Sequence, residues 1–277
     1  MKTAIFCIVT FFGVLQGNLW GSPKVVAKFG QSQCPWSEQL KQEVWNSSTF
    51  QALLDSAGIE REEKESSEKD QNVPILILLS SSGEEIGSVG YLMISPEKYI
   101  DLLKEMLSIH SLCQTLDPLN AQQLLQLYRK SQVLHMAACE EKLLQEGLKK
   151  DSGVDFLIEH YAKVIKNHPR KAQKIKEEIR ARKPEDPATE WELALLSFQS
   201  RREKMKEEEK IVLPLAKFLR DYGTKDQDYA WRCHLVLAEF YRDKNRLDKA
   251  RHHAKLAAEG APLELKGMIN DIGNAAL

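Results

Sequence analysis

Apolar residues near the start of the chain first form a short continuous run and then change to helical spacing. Residues 24–30, "KVVAKFG", are rich in valine and end at a glycine, which predicts a buried strand that leads into a turn. From Pro35 onward, apolar side chains return every three or four residues, at Trp36, Leu40 and Val44, so a helix is predicted to begin there. Proline suits the first helical turn because an N–H has no partner at that position.

Two apolar segments joined by a turn follow a charged stretch. Residues 61–72 are charged and contain serine, and we interpret them as a solvated loop or a frayed helix. Residues 75–79 are apolar, a Ser-Ser-Gly turn follows, and residues 85–91 have the pattern of a second strand. Together they predict a β-hairpin. An amphipathic helix is predicted next, with Ser95 as its N-cap and Pro96 at its first position. The predicted order is strand, helix, hairpin, helix.

Strand patterns end near residue 117, and every later segment shows helical periodicity. We therefore predict that residues 113–277 form a second, all-α domain built from helical hairpins. Helix-breaking residues divide the predicted helices at Gly153, Pro169, Pro184, Pro187, Gly223 and Pro262.

One part of this second domain resembles a tetratricopeptide unit, in which small residues let two antiparallel helices approach closely. Asn245 stands at the usual glycine position and His234 where tryptophan is preferred, and an earlier copy of the unit is blurred. His252 and His253 are predicted to lie on the solvated face of their helix. The matching positions are Leu237, Ala238, Tyr241, Asn245, Leu247, Ala250, Ala254, Ala257 and Pro262.

The first domain, predicted over residues 23–112, carries several motifs in a definite order. Phe29 precedes the "CPWS" turn of residues 34–37, and Pro74 directly precedes the apolar strand of the hairpin and its closing helix. Together these motifs resemble the thioredoxin superfamily, and in particular secreted thioredoxin-like proteins that handle disulfides. The resemblance implies an α/β thioredoxin-like fold in which Pro74 is cis and lies against Cys34.

Three features depart from that family. Ser37 replaces the second, resolving cysteine, and Lys28 occupies the place of a buried acid that relays protons. The middle of the domain, from Phe50 to Pro74, is also short. We therefore expect one central strand–helix unit to be abbreviated or irregular.

The beginning of the chain has the layout of a secretory signal peptide, which we place over residues 1–22. Lys2 precedes an apolar run over residues 4–15, and small and polar residues follow. The run is shorter than the roughly 20 residues that span a bilayer, so membrane attachment is expected only if the segment is retained. We expect an exported protein of the bacterial periplasm.

Composition and charge narrow the possible partners. The chain has 277 residues, 43% of them hydrophobic, with 39 Lys and Arg against 40 Asp and Glu. This balance is ordinary for a soluble globular protein and gives no net field that favours nucleic acid.

Outside the signal segment the chain contains Cys34, Cys113, Cys139 and Cys233. Four cysteines allow three complete pairings, and the sequence does not choose among them. Cys113 and Cys139 are interpreted as core thiols or a structural disulfide, and Cys233 as a packing residue. No C-x-x-C or H-x-x-H cluster indicates zinc, and no cofactor is expected.

Cys34 is the best candidate nucleophile. At the start of a helix, unpaired N–H groups and the helix dipole stabilise a thiolate and lower the cysteine pKa below its free value of about 8.5. Ser37, one turn later, can donate a hydrogen bond to that thiolate but cannot attack a mixed disulfide. Pro35 and Trp36 are predicted to shape the turn, and the resemblance implies that Pro74 positions the client backbone.

A site with one sulfur supports disulfide isomerisation or monothiol oxidoreduction on cysteine-containing client proteins. The mixed disulfide then waits for a client thiol, a small thiol or a redox partner protein. The alternative is a non-catalytic thioredoxin-fold scaffold or chaperone, in which Cys34 is an inert thiol. In either case the helical domain is expected to bind clients or to assemble the protein with a copy of itself.

Overall fold

The computed structural model describes residues 22–30, 34–65 and 74–274. The chain divides into two compact units, Met1–Glu146 and Gly147–Leu277. Apart from residue 22, the predicted signal segment lies outside the described residues. The strands of the first unit are β1 (Lys24–Phe29), β2 (Glu60–Glu65), β3 (Ile75–Leu79) and β4 (Glu85–Gly90). Its helices are α1 (Pro35–Leu40), α2 (Ser48–Ser56), α3 (Pro96–Leu112), α4 (Ala121–Val133) and most of α5 (Ala137–Lys150).

The four strands form one mixed sheet in the order β2-β1-β3-β4. β2 is parallel to β1, whereas β3 is antiparallel to both β1 and β4. β1 lies inside the sheet, and its residues Val25, Val26 and Ala27 are buried, as the continuous apolar run predicts. The predicted hairpin is confirmed, and Gly83 in its turn has a φ of +84°, a conformation that favours glycine. A small mixed sheet followed by many helices is compatible with a thioredoxin-like domain and a helical region.

The interpretation of residues 61–72 as a loop or frayed helix is wrong for its first part, which belongs to β2. β2 is an edge strand made of charged residues, and residues distant in sequence donate hydrogen bonds to two of its glutamates. Glu62 accepts from Lys24 at 3.0 Å, and Glu63 accepts from Trp45 Nε1 at 3.0 Å. Charged side chains on an edge also discourage pairing with other chains. The sequence predicts a shortened segment between Phe50 and Pro74. In agreement with this, only residues 66–74 separate β2 from β3.

The helix that begins at Pro35 changes geometry after one and a half turns. α1 continues as a π-helical turn over Lys41–Trp45, and α2 then starts after Ser47, whose hydroxyl accepts from the N–H of Phe50 at 3.4 Å. The wider turn places Trp45 in the core, where its ring contacts those of Phe29 and Phe50 at centroid distances of 6.2 Å. Leu40 and Val44 of the predicted apolar face are buried, whereas Trp36 is 50% exposed, and the face is divided between α1 and the π-helical turn.

A turn between α4 and α5 packs directly on β4. The N–H of Ser88 donates to the carbonyl of Leu134 at 3.0 Å. A Cβ at Gly87 would lie 2.7 Å from that carbonyl oxygen and 2.7 Å from the Met136 side chain, so the approach requires glycine. This packing groups α4 and most of α5 with the sheet, whereas the sequence places the domain boundary after residue 112, at the end of α3.

The second unit is helical throughout the part that the structure describes. Two helical stretches, one at the end of the first unit and one in the second, are interrupted without glycine or proline. One break follows Val133, where His135 has a φ of +48°, and the other follows Lys204. No described helix is long and apolar enough to cross a membrane. The helices of this unit are α6 (Asp155–Ile165), α7 (Pro169–Arg182), α8 (Pro187–Lys204), α9 (Glu208–Tyr222), α10 (Gln227–Asp243), α11 (Leu247–Gly260) and α12 (Leu263–Asn274).

α10 and α11 form the hairpin that the sequence predicts. Asn245 lies in the connecting turn with a φ of +56°, the conformation for which the resemblance would use glycine. Ala238, Ala250 and Ala254 are buried and allow the two helices to approach closely. The hairpin is therefore present, and its assignment as a tetratricopeptide unit stays a prediction.

The expectation that His253 is solvated is wrong. Its ring stacks on Tyr241 at 5.5 Å, and its Nδ1 lies 3.0 Å from Nδ1 of His234, so one ring must donate to the other. Burial and the neighbouring histidine lower the pKa of His253 to about 4, and burial also lowers that of His234. The pair is accordingly neutral near pH 7. His252, in contrast, is exposed as predicted.

We predict that Gly87→Ala destabilises the first unit. The added Cβ would displace the Leu134 carbonyl and the Met136 side chain from β4. Overpacking of this kind costs about 1–3 kcal/mol, which denaturant unfolding measures. Gly267→Ala is the control, because a Cβ there meets nothing within 4 Å and alanine favours a helix. An equal or higher stability for Gly87→Ala would contradict the tight contact.

We also predict that acid weakens the α10–α11 hairpin. The pKa of His253 lies at about 4 in the folded protein and near 6.5 in the unfolded chain, so stability present above about pH 6.5 is lost as the pH falls towards 4. The glutamine in His253→Gln does not titrate. The melting temperature of this variant should therefore decrease less than that of the wild type between about pH 7 and pH 5. His168→Gln, at an exposed position, should behave as the wild type does. Equal acid sensitivity in all three proteins would refute this coupling.

Candidate active site around Cys34

Cys34 is the residue from which α1 starts. Its backbone is extended, with a φ of −81°, and its carbonyl accepts from the N–H groups of Ser37 at 3.0 Å and Glu38 at 3.2 Å. The residue is partly exposed. The structure thus places this cysteine at a helix start, where the N–H groups of the first turn face it.

Ser37 is buried and links the end of β1 to α1. Its hydroxyl oxygen accepts a hydrogen bond from the N–H of Gly30 at 2.9 Å. Because that bond uses an oxygen lone pair, the hydroxyl proton remains available for Cys34. Hydrogen bonding from the Ser37 hydroxyl, followed by that from the N–H of Ser37, holds the pKa of Cys34 below its usual range. Ser37 therefore both fixes the turn and polarises the sulfur.

The sheet register brings Pro74 to the end of the sheet from which the Cys34 turn departs. Lys28 on β1 pairs with Ile75 on β3, so Pro74 comes one residue beyond the last pair, beside Phe29. Ile75 also pairs with Gly90, the last residue of β4. Pro74 is buried at this position. Its predicted cis peptide and its contact with Cys34 stay predictions.

An exposed aromatic surface lies next to the cysteine. Trp36 is 50% exposed, and its ring lies 5.8 Å from the ring of Tyr91. The Tyr91 hydroxyl donates to Glu43 at 2.8 Å, which holds the tyrosine against the helix. Leu92 and Met93 follow Tyr91 and are 42% and 80% exposed. We call Trp36, Tyr91, Leu92 and Met93 the apolar rim.

The sequence predicts Trp36 as part of the site but not the other residues of the apolar rim. Tyr91 falls at the end of a predicted strand, and nothing in the alternation distinguishes it from a core residue. A signal was nevertheless present, because three apolar residues lie between the predicted strand and the N-cap Ser95. Buried Tyr99 fixes this loop, since its hydroxyl donates to the carbonyl of Leu92 at 3.0 Å.

Lys28, which stands where the resemblance expects a buried acid, is partly exposed on β1 and pairs in register with Lys64. The other three cysteines among the described residues, Cys113, Cys139 and Cys233, are buried. The Cys233 thiol donates to the carbonyl of Leu215 at 3.6 Å, and burial raises its pKa, so it is a packing residue as predicted. Within the described ranges, no three histidine, cysteine or acidic side chains are grouped so that they could bind a metal ion.

Comparison with known proteins gives one similar protein, described as thioredoxin-related protein DsbJ from Chlamydia pneumoniae. It is 26% identical over 216 residues, which cover 73% of this chain and 62% of the relative. This similarity supports the thioredoxin superfamily. The chain spans only about three fifths of the length of the relative that it matches. No family model and no solved structure matches the chain.

We predict that Ser37→Ala makes Cys34 less reactive. Loss of the hydroxyl removes the main cause of the lowered pKa and leaves the N–H of Gly30 without its acceptor. The rate of alkylation by iodoacetamide should fall several-fold at neutral pH, and its midpoint should move to higher pH. Ser56→Ala is the matched control, since the exposed Ser56 bonds only the local carbonyl of Leu53. An unchanged midpoint in Ser37→Ala would show that the sulfur does not use this hydroxyl.

Proposed function

We propose that this protein exchanges disulfides with protein clients through Cys34, as an isomerase or a monothiol oxidoreductase. The observation that carries the proposal is a partly exposed cysteine at a helix start whose pKa is lowered by Ser37. A thiolate is the nucleophile in such exchange, and only an accessible sulfur can reach a client. The thioredoxin-related name of the similar protein agrees with this chemistry at the level of the family.

In the proposed reaction, the Cys34 thiolate attacks one sulfur of a client disulfide. A bond forms between Cys34 and that sulfur, the client S–S bond breaks, and the second client sulfur leaves as a thiolate. Ser37 carries no thiol, so it cannot displace the client. Another client thiolate then attacks the client sulfur of the mixed disulfide and frees Cys34, which amounts to isomerisation. An external thiol that does the same gives net reduction of the client.

The apolar rim is suited to hold such a client. Unfolded segments expose apolar side chains, and Trp36 and Met93 offer exposed apolar area beside the sulfur. The buried Pro74 and the end of β4 lie at the same end of the sheet, where an extended client backbone could pair. We therefore assign Pro35 and Trp36 to the active-site turn and Pro74 to client positioning.

We also propose export to a bacterial periplasm. Residues 1–22 have the pattern of a signal peptide, and the similar protein is bacterial. An oxidising compartment supplies the disulfide-containing clients that this chemistry needs.

A second candidate function is binding without turnover, for which the helical unit offers a specific feature. A cavity of about 370 Å³ is lined by side chains of α7, α8 and α9, among them Lys176, Lys217 and Tyr222. Burial lowers the pKa of Lys176 to about 8, so a bound anion such as a client carboxylate would stabilise its charged form. Arg180 on the same wall already pairs with Glu190 at 2.6 Å.

Covalent trapping separates the two functions. The purified protein should be incubated with a scrambled disulfide-containing client, quenched in acid, alkylated and analysed without reduction. Exchange predicts covalent complexes that a reductant dissolves, that disappear in Cys34→Ser and that remain in the buried-cysteine control Cys233→Ser. If alkylation shows Cys34 to be accessible but the wild type forms no complex, the binding function is correct instead.

Ser37→Cys tests the claim that the missing thiol limits resolution. A second thiol one turn from Cys34 can attack the mixed disulfide and release the client. We expect trapped complexes to become shorter-lived and dithiol reductase activity to rise several-fold in an insulin-reduction assay. Ser56→Cys supplies a thiol at an exposed position elsewhere and should leave both readouts unchanged. No gain in Ser37→Cys would contradict the assignment.

A further inference from the structure

Cys113 and Cys139 meet where the α4–α5 turn returns to the sheet. Cys113 caps the end of α3, and its N–H donates to the carbonyl of Ile109 at 2.9 Å. Cys139 lies in the first turn of α5, just after Met136, which packs on Gly87 of β4. Both cysteines are buried, with exposures of 4% and 3%. The two side chains are within hydrogen-bonding reach of each other, so two segments distant in sequence place their thiols together inside the first unit.

The two thiols interact with each other and have different chemical characters. The Cys113 thiol donates its proton toward the sulfur of Cys139, which lowers the pKa of Cys139 and raises that of Cys113. Burial raises the pKa of both thiols, so it opposes the lowering at Cys139 and adds to the raising at Cys113. The charge of Lys142 favours a thiolate at Cys139. In the closed structure Cys139 therefore has the greater thiolate character of the two sulfurs.

We propose that Cys113 and Cys139 form a disulfide in an oxidising compartment, and that this bond fastens the helices α4 and α5 to the end of α3. The bond is distinct from the exchange chemistry of Cys34 and does not require Cys34 to turn over. Cys233 has no comparable role, since its thiol faces the backbone carbonyl of Leu215.

The oxidant is a small disulfide such as oxidised glutathione. The Cys139 thiolate attacks it, a mixed disulfide forms, and one glutathione thiolate leaves. Cys113 then loses its proton and attacks the Cys139 sulfur, which expels the second glutathione thiolate. Two protein thiols become one disulfide, and one small disulfide becomes two thiols.

Burial determines when this reaction can occur. A reagent the size of glutathione reaches neither sulfur in the closed structure, because both are almost fully covered. Oxidation therefore accompanies folding or a local opening of α4 and α5, and the finished disulfide resists reduction in the folded protein. The bond closes the loop of residues 113–139, which restricts the unfolded chain and stabilises the folded one.

The test uses the full chain with Cys34→Ser, so that only three cysteines remain outside the signal segment. The reduced, unfolded protein is refolded in a glutathione buffer, unfolded again, alkylated without reduction and mapped by peptide mass spectrometry. We expect a linked pair of peptides that contain Cys113 and Cys139, and an alkylated Cys233. The oxidised protein should melt at a higher temperature than the reduced protein.

Matched variants make the result specific. Cys139→Ser should lose the linked peptides and the dependence of melting temperature on redox buffer, whereas Cys233→Ser should keep both. Alkylation of both Cys113 and Cys139, a stable glutathione adduct, or a link that involves Cys233 would each overturn the proposal. If Cys139→Ser does not fold, the comparison of oxidised and reduced Cys34→Ser protein decides by itself.

Discussion

One hydrogen bond, from the backbone N–H of Gly30 to the hydroxyl of Ser37, determines where the candidate nucleophile lies. Gly30 continues β1, which is buried inside the sheet, so one side of the turn cannot move without disturbing the core. Ser37 is itself buried in the first turn of α1. Cys34 lies between Gly30 and Ser37 in sequence. The Ser37 hydroxyl that accepts from Gly30 also donates a hydrogen bond to the Cys34 sulfur.

The antiparallel strands then gather the remaining parts of the site. β1 and β4 end at the same edge of the sheet where β3 begins, because β3 runs opposite to both. Residues that are distant in sequence, Pro74 and Tyr91, are therefore brought to the side from which the Cys34 turn departs. Trp36 contacts Tyr91 there, and Glu43 holds the tyrosine from the helix. The apolar rim is thus a consequence of strand order and would not arise from α1 alone.

How far the sequence predicts the fold depends on whether the relevant signal is local. The start of α1 at Pro35, the hairpin and α3 after Ser95 were all predictable, because proline, glycine and capping residues act on their neighbours. β2 was not predictable, since its glutamates form ion pairs with Lys24 and Lys41, which lie far away in sequence. The position of Cys34 was predictable from its motif, but the apolar rim required the sheet.

The helical region shows the same limit. α7 and α8 start at Pro169 and Pro187, residues that suit the first helical turn, and α9 ends before Gly223, a residue with low helix propensity. The break at His135 carries no such residue, and it exists because the turn that contains it packs on Gly87 and Ser88. Likewise, the sequence pattern of α11 predicts that His253 is solvated. The structure places His234 and Tyr241 of α10 against it.

In the proposed exchange reaction, Ser37 accounts for how a site with one sulfur would work. A cysteine at this position could resolve a mixed disulfide, but sulfur is a weaker hydrogen-bond acceptor than a hydroxyl oxygen and would hold the N–H of Gly30 less firmly. Serine ties α1 to the end of β1 and lowers the pKa of Cys34, and under the proposed function it would leave release of the client to a thiol from outside. Cys34 is partly exposed, so such a thiol would have a route to the mixed disulfide. The residue that removes internal resolution would therefore maintain the geometry on which external resolution depends.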